Sequence, residues 1–276
     1  MASHNNAERF GIYDGSVLSL SNLSHKIYLM RIHCPQIAKK IQPGQFVNMK
    51  VGSSFVPLLR KPFSVCRCNQ QRGWLEILWK VVGVGTQILT TYRPGDRIDL
   101  LGPLGNGFTI SNELKQAVMV AGGIGVAPFP FLCERVIAHG ATVELFLGGK
   151  SRQDIVFVKE FERLGVELHL ATEDGSAGAK GLVTELLQTS LRGKATHGGM
   201  ALFCCGPDGL LKRLSELSQQ ENFLTQISLE TMMGCGFGIC MGCPVQITSL
   251  DNRKRVYKLT CVDGPVFDAR QVVWHD

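Results

Sequence analysis

Four cysteines close to the C-terminus, Cys235, Cys240, Cys243 and Cys261, follow the spacing C-x4-C-x2-C-x17-C. That is the ligand arrangement of a plant-type [2Fe-2S] cluster, so one-electron transfer is the first chemistry the chain suggests. Four-thiolate zinc knobs usually pair short C-x2-C units, whereas here a four-residue gap precedes the two-residue gap. Glycines at 234, 236, 238 and 242 let the backbone fold tightly around a small inorganic core and free amides to point at its sulfurs. Met232, Met233, Phe237 and Met241 surround this loop. Exposed soft side chains there would suit a docking face; filling beneath the loop is the other reading.

A second group is the glycine loop Ala121-Gly-Gly-Ile-Gly-Val-Ala-Pro128, set between a buried-strand run and a helix that Pro128 could open. Amides at Gly122, Gly123 and Gly125, with the helix N-terminus, are placed to hold a pyrophosphate. The G-G-x-G pattern alone also fits a helix packed close to a sheet. Two further strand ends, Gly148-Gly149-Lys150-Ser151-Arg152 and Cys205-Gly206-Pro207-Asp208, carry small or polar residues where doubly wound sheets bind ligands. Thr172-Glu173-Asp174-Gly175-Ser176 either lines the same crevice or is a solvated turn. Lys150 and Arg152 could meet a 2'-phosphate, and no acidic ribose ligand is obvious.

The third group is Arg60-Lys61-Pro62-Phe63-Ser64, followed by Gly83-Val84-Gly85-Thr86, which can offer amides and a hydroxyl to phosphate. The cations alone could be a strand's solvent end. Beside a nucleotide domain and an iron-sulfur loop, a flavin diphosphate held between these segments is the stronger reading. Nicotinamide gives up two electrons together as hydride, the cluster accepts one at a time, and a flavin exchanges both ways.

Positioning these groups takes three kinds of scaffold. From Gly11 to about Ile110 the pattern is short alternating stretches, Ile27 to Ile32, Gln45 to Val51, Leu75 to Val82 and Arg97 to Leu101, with turn pairs Pro43-Gly44 and Pro94-Gly95. This predicts a small antiparallel barrel. From about Leu114 strand runs alternate with helical ones: Ala117 to Val120, Val143 to Leu147, Glu167 to Ala171 and Ala201 to Cys205 predict a doubly wound parallel sheet. After Gln226 only a cysteine-bearing loop and short strands remain, too little to fold without a metal centre. The expected fold is multi-domain, α/β plus β: a flavin-binding β-barrel over 1–110, a nucleotide domain over 111–226 and a [2Fe-2S] module over 227–276.

The 276 residues, 45% hydrophobic, carry ten cysteines and a formal charge of +6. Met1 to Phe10 is polar and lacks the apolar core of a signal peptide, so reduced thiols in the cytoplasm are expected rather than disulfides. No apolar run is long and unbroken enough to span a bilayer, and the scattered basic charge does not call for nucleic acid. Cys34, Cys66, Cys68 and Cys133 read as buried small hydrophobes. His33, His139, His169 and His197 read as structural or surface residues. The absence of G-x-S-x-G, H-E-x-x-H and Walker patterns removes hydrolysis and phosphoryl transfer.

Nearly the whole chain, from about Gly11, resembles the ferredoxin-reductase-type superfamily. Within it the chain is most similar to the iron-sulfur electron-transfer subunit of NAD-dependent dihydroorotate dehydrogenase. The residues that carry this are Lys61-Pro-Phe-Ser64, Lys80-Val-Val-Gly-Val-Gly-Thr86, Leu101-Gly-Pro-Leu-Gly-Asn-Gly-Phe108, Gly122-Gly-Ile-Gly125, Cys205-Gly-Pro207, the four cysteines and Asp263-Gly-Pro-Val-Phe-Asp268. The resemblance implies an FAD-binding barrel, an NAD-binding domain and a cluster module docking on an FMN-containing catalytic subunit, as a heterotetramer of two of each, in pyrimidine biosynthesis. Dihydroorotate is then oxidised on the partner, and electrons run through the cluster and FAD to NAD+.

Carried over by position, Lys61, Pro62, Phe63 and Ser64 meet the flavin, with Ser64 near its N5 edge. Leu78, Trp79 and Lys80 form the strand beside it, and Gly85 and Thr86 lie at its pyrophosphate. Gly122, Gly123 and Gly125 face the NAD diphosphate; Cys205, with Gly206 and Pro207, lies at the nicotinamide end. Ser64 and Cys205 are thus the expected catalytic positions. The family usually has Arg where this chain has Lys61, and lysine lacks the planar two-point grip on phosphate, so either Arg60 substitutes or the contact is weaker. In the doublet Cys204-Cys205 alternation sends one thiol away from the crevice. Other architectures of the same kind are an NAD(P)H:acceptor reductase serving a hydrogenase, a sulfide-linked enzyme or ferredoxin, and a nucleotide-binding redox sensor without turnover.

Overall fold

The computed structural model describes residues 10–52, 56–191, 199–221, 223–249 and 254–274; His197 lies outside them. Its first unit is a closed antiparallel barrel of six strands: β1 (Gly11–Ser24), β2 (Ile27–His33), β3 (Phe46–Met49), β4 (Lys61–Asn69), β5 (Trp74–Lys80) and β6 (Arg97–Leu104), in the order β1-β2-β5-β4-β3-β6. Closure needs a strand that pairs on both sides, and the 14-residue β1 does so, with β2 along its second half and β6 along its first. Inward residues such as Met30, Ile32, Val47, Val65, Ile77 and Leu100 fill the interior. The buried Glu76 of β5 is met by Arg31 at 2.7 Å and Arg67 at 3.5 Å, so its charge does not stand alone. A short helix, α1 (Pro35–Ala38), follows β2, and another, α2 (Val84–Ile88), follows β5.

The nucleotide domain is a seven-stranded sheet of β7 (Gln116–Gly122), β8 (Thr142–Gly149), β9 (Glu167–Thr172), β10 (Ala179–Lys180), β11 (Met200–Cys205), β12 (Thr225–Ser228) and β15 (Val266–Asp268). Its order is β10-β9-β8-β7-β11-β12-β15, parallel except where β15 runs antiparallel to β12. Strand order reverses between β7 and β11, the position where such sheets open a binding crevice. Helices α3 (Phe129–Ala138), α4 (Val158–Arg163), α5 (Val183–Leu191) and α6 (Asp208–Glu221) connect the strands. Phe131 of α3 inserts into the barrel's core cluster, and Leu78 of β5 joins the core of the sheet. The two units therefore share apolar surface, and β5 is buried along its middle because it faces apolar neighbours on both sides.

The last unit is the cysteine loop with a hairpin of β13 (Pro244–Thr248) and β14 (Arg255–Leu259). The expected boundary between 226 and 227 falls inside β12, and the tail returns through β15 to that strand. The break from alternating strand and helix to loop marks where the pattern changes, but backbone pairing carries the sheet beyond it. Asn106 donates to the carbonyls of Val262 and Asp263, both at 3.0 Å, and so ties the segment after Cys261 to the barrel. On the sheet, His169 stacks on Phe146 at 4.4 Å, with Nε2 at 3.1 Å from Glu144 and 3.4 Å from Glu167. His33 and His139 are exposed. No described helix is long and apolar enough to cross a membrane.

Candidate functional site

At the C-terminal ends of the parallel strands lies a crevice of about 860 Å³, its floor formed by the loops after β7 and β11. Gly122, Gly123, Gly125, Gly206 and Pro207 all line it. The two loops touch so closely that side chains do not fit: a Cβ on Gly122 would stand 2.8 Å from Pro207 Cδ, and one on Gly125 would collide with the Cys205 carbonyl. Gly123 has φ +53° and open space before it, leaving its backbone accessible to a ligand. This is a cradle of the kind a dinucleotide diphosphate needs, and these residues fit NAD(H).

The walls combine residues named from sequence, Lys80, Lys150 and Glu173, with two that were not, Asp154 and Glu230. Lys80 Nζ from the barrel meets Asp154 Oδ1 at 2.7 Å across the crevice mouth. Burial pushes the Asp154 carboxyl up, but Lys80 and the amides of Lys150 and Ser151 outweigh it and hold the group below the ordinary aspartate range. Lys150 lines the crevice; the Arg152 amide is bonded to Ser176 Oγ at 2.8 Å. Glu173 supplies an acid beside Lys150, and Glu230 stands at another wall, its carboxyl raised by burial and then by the charge of Asp208. Of the two readings of the segment Thr172–Ser176, lining the crevice or a solvated turn, Glu173 takes the first; for Glu230 the signal available in sequence was an acid between β12 and the cysteine loop.

Lys61, Pro62, Phe63 and Ser64 open β4, each partly exposed. The stem of Lys61 lies across α2, where a Cβ on Gly85 would stand 3.1 Å from Lys61 Cε. First-turn amides of a helix have no partner within it, so those of Val84 and Gly85 and the Lys61 ammonium fit a flavin diphosphate. The Thr86 hydroxyl, expected to face phosphate, is engaged otherwise: it accepts from the amides of Val82 and Gly83 and donates to the Gly83 carbonyl. A hydroxyl so close to the free amides of its own turn satisfies them first. Arg60, the alternative to Lys61 at the phosphate, forks onto Asp99 with both contacts at 2.8 Å.

Of the strand expected beside the flavin, only Lys80 lines the crevice. The Trp79 ring lies in the barrel core against Tyr28, centroids 5.7 Å apart, and its Nε1 donates to the Thr86 carbonyl at 3.2 Å. Its side chain supports the turn at 83–86 from beneath. Cys205 belongs to the apolar cluster that includes Leu78, and Cys204 to the opposite cluster with Leu211 and Leu214. Cys205 is therefore the member of the doublet on the barrel side, as alternation along a strand requires. Burial pushes both thiols up.

The four C-terminal cysteines come together at the barrel's edge. Cys243 and Cys261 stand with their sulfurs 3.2 Å apart, and Cys235 shares a side-chain hydrogen bond with Cys240. Backbone amides of Phe237 and Cys240 donate to Cys235 Sγ, each at 3.5 Å, and against the opposing effect of burial they bring its pKa down to about 7. Among the described residues no three of these sulfurs lie within 4.8 Å of one another. A single tetrahedral zinc would draw all four to roughly 3.8 Å spacing. Two pairs, each able to serve one iron, fit a binuclear cluster. Met233 packs beneath the loop, whereas Met232, Phe237, Ile239 and Met241 are exposed. Beside them Phe10, Ile12, Leu58, Leu59 and Cys235 line an apolar groove of about 370 Å³.

Three family models match in succession: an oxidoreductase FAD-binding domain over residues 14–108, an oxidoreductase NAD-binding domain over 119–216 and the iron-sulfur cluster binding domain of dihydroorotate dehydrogenase B over 230–273. The dihydroorotate dehydrogenase B (NAD(+)) electron transfer subunit of Desulforamulus reducens is 36% identical over 266 residues, 95% of this chain and 98% of that protein. That of Bacillus caldolyticus is 36% identical over 261 residues, 94% and 97%. Among solved structures, a chain of NADH-dependent reduced ferredoxin-NADP oxidoreductase, described for flavin-based electron bifurcation, superposes with TM-score 0.82 at 27% identity over 94% of this chain and 90% of that one. The ferredoxin NADP+ reductase of Neisseria gonorrhoeae, with TM-score 0.63 at 20% identity over 76% of this chain and 91% of that one, shares the fold.

Proposed function

The chain belongs to the family of electron transfer subunits of NAD-dependent dihydroorotate dehydrogenase B, and on that premise we propose how its residues divide the work. It is an oxidoreductase subunit with FAD-binding, NAD-binding and iron-sulfur domains, and a separate catalytic subunit is implied by the relatives' names. Our reading of that partner is an FMN-containing subunit that oxidises dihydroorotate, assembled as two of each chain in the cytoplasm. When bound, FAD supplies two-electron exchange with nicotinamide and one-electron exchange with the cluster.

Lys61 and the amides of Val84 and Gly85 hold the flavin diphosphate. Ser64 carries a partly exposed hydroxyl with no hydrogen bond inside the described chain, and it is our candidate for the flavin edge. Gly122, Gly123 and Gly125 leave the nucleotide backbone-only contacts, and Gly206 and Pro207 close the other side. Cys205 is a neutral, buried thiol on the barrel side, so it shapes the nicotinamide end instead of supplying charge. Glu173 presents a carboxylate at the crevice, which favours a ribose diol over a 2'-phosphate and so NAD over NADP. Cys235, Cys240, Cys243 and Cys261 hold the cluster.

The observation that carries this reading is the gathering of the four thiols in two pairs beside the groove of Ile12, Leu58, Leu59 and Phe237. An electron carrier must lie near the surface where its partner docks, and exposed apolar side chains around it supply the contact. The test is direct. Purified chain, loaded with FAD and iron, is mixed with a dihydroorotate dehydrogenase catalytic subunit, and dihydroorotate-dependent NAD+ reduction is followed. A rate no higher than that of the catalytic subunit alone would sink the assignment.

A further inference from the structure

Asn48 of β3 is fully buried, paired in the barrel ladder with Pro62 on one side and Leu101 on the other, and its backbone carbonyl accepts from Arg60 at 3.4 Å. Its Nδ2 donates to the Cys235 carbonyl at 2.9 Å, across 187 residues of sequence, while Oδ1 has no partner among the described residues. Only the donor end can meet a carbonyl, so the amide's orientation is fixed. A buried amide whose oxygen is unmet is unfavourable, and an apolar residue of similar size would suit this core better. Opposite it, Gly236 has φ +84°, and a Cβ there would stand 2.5 Å from Nδ2. The cysteine loop is thus bare where the amide reaches it. In the barrel ladder Asn48 stands opposite Pro62, within the segment assigned to the flavin.

We propose that Asn48 is a positioning residue for electron exchange between the flavin and the cluster. It fixes the backbone of the ligand Cys235 against the strand pair that carries Lys61–Ser64, and it directs the positive end of an amide dipole toward the cluster through a low-dielectric core. Such a dipole favours the reduced, more negative cluster. This rests on the cluster assignment made above.

The test is an EPR-monitored redox titration of the FAD- and iron-loaded protein with its partner subunit, comparing wild type with Asn48→Leu. The expected result is retained FAD and iron, altered g-values and a lower cluster midpoint. The equilibrium constant for accepting the electron should fall about tenfold, ~59 mV for a one-electron couple. Asn48→Gln, which keeps a donor, should recover part of the shift. A fully loaded Asn48→Leu protein with wild-type midpoint and g-values overturns the proposal, whatever its melting temperature. Should Asn48→Leu not retain iron, Asn48→Val is read by the same titration with the same two outcomes. Failure of the cluster assignment itself looks different, because wild-type protein would then give no binuclear signal at all.

Discussion

Arg60 and Lys61 are adjacent in sequence but have separate tasks: the Arg60 guanidinium is forked on Asp99, both contacts at 2.8 Å, while the Lys61 stem lies across Gly85. Lys61→Met should therefore weaken FAD binding about 10–100-fold, the range of a charge-assisted hydrogen bond. Arg60→Met should leave FAD affinity within a few-fold and lower barrel stability by about 1–2 kcal/mol, since the pair is only partly exposed. Flavin fluorescence on dilution and thermal melts of the two variants separate the effects. Equal loss of FAD from both would reject the division.

The Lys80–Asp154 pair joins the barrel to the crevice wall. Asp154→Asn should raise KM for NADH several-fold while kcat with ferricyanide changes less, and the difference should shrink at high salt. Its folded pKa lies below the ordinary value, so the pair's contribution to stability is present above the unfolded carboxylate pKa, roughly 4, and is lost as pH falls through the lower folded value. Acid unfolding curves should show Asp154→Asn converging on wild type only at the acid end. Constant separation across pH would contradict this.

Removal of any one of Cys235, Cys240, Cys243 or Cys261 by serine should abolish the EPR signal of the reduced cluster while leaving the flavin spectrum. Serine or alanine at Cys66, Cys133 or Cys204 should leave iron content unchanged, because these thiols are buried in apolar clusters apart from the loop. Iron loss from the Cys204→Ala protein would place that thiol in the wrong role.

Charge on the exposed collar of the cluster should separate partner binding from internal chemistry. Ile239→Glu or Leu58→Glu is expected to weaken association with the catalytic subunit at least tenfold, in the range of an interface hot spot of ~2 kcal/mol. NADH oxidation with ferricyanide should be preserved. Unchanged affinity in both variants, measured by calorimetry, would move the docking face elsewhere.

The spacing of the four cysteines, the glycine loop before α3 and the alternating strands of the barrel are local patterns, and local patterns are what a sequence displays directly. Ligand spacing is set by how far a loop reaches, and a strand's two faces by its period of two. The flavin segment at Lys61–Ser64 read by itself as the charged end of a strand; the neighbouring nucleotide and iron-sulfur patterns made it a flavin segment, and the family resemblance assigned its residues.

What folding alone decided lies in pairings between distant segments. Arg60 is occupied by a residue 39 positions away, and Asn48 meets Cys235 across 187. The side of the doublet that faces the barrel, the capture of the Thr86 hydroxyl by its own turn and the return of the tail to β12 belong to the same class. Each depends on which groups are brought within about 3 Å once two units share a core. A polar side chain reads the same in sequence whether it will face a ligand, solvent or another part of the chain, and only the packed structure removes the alternatives.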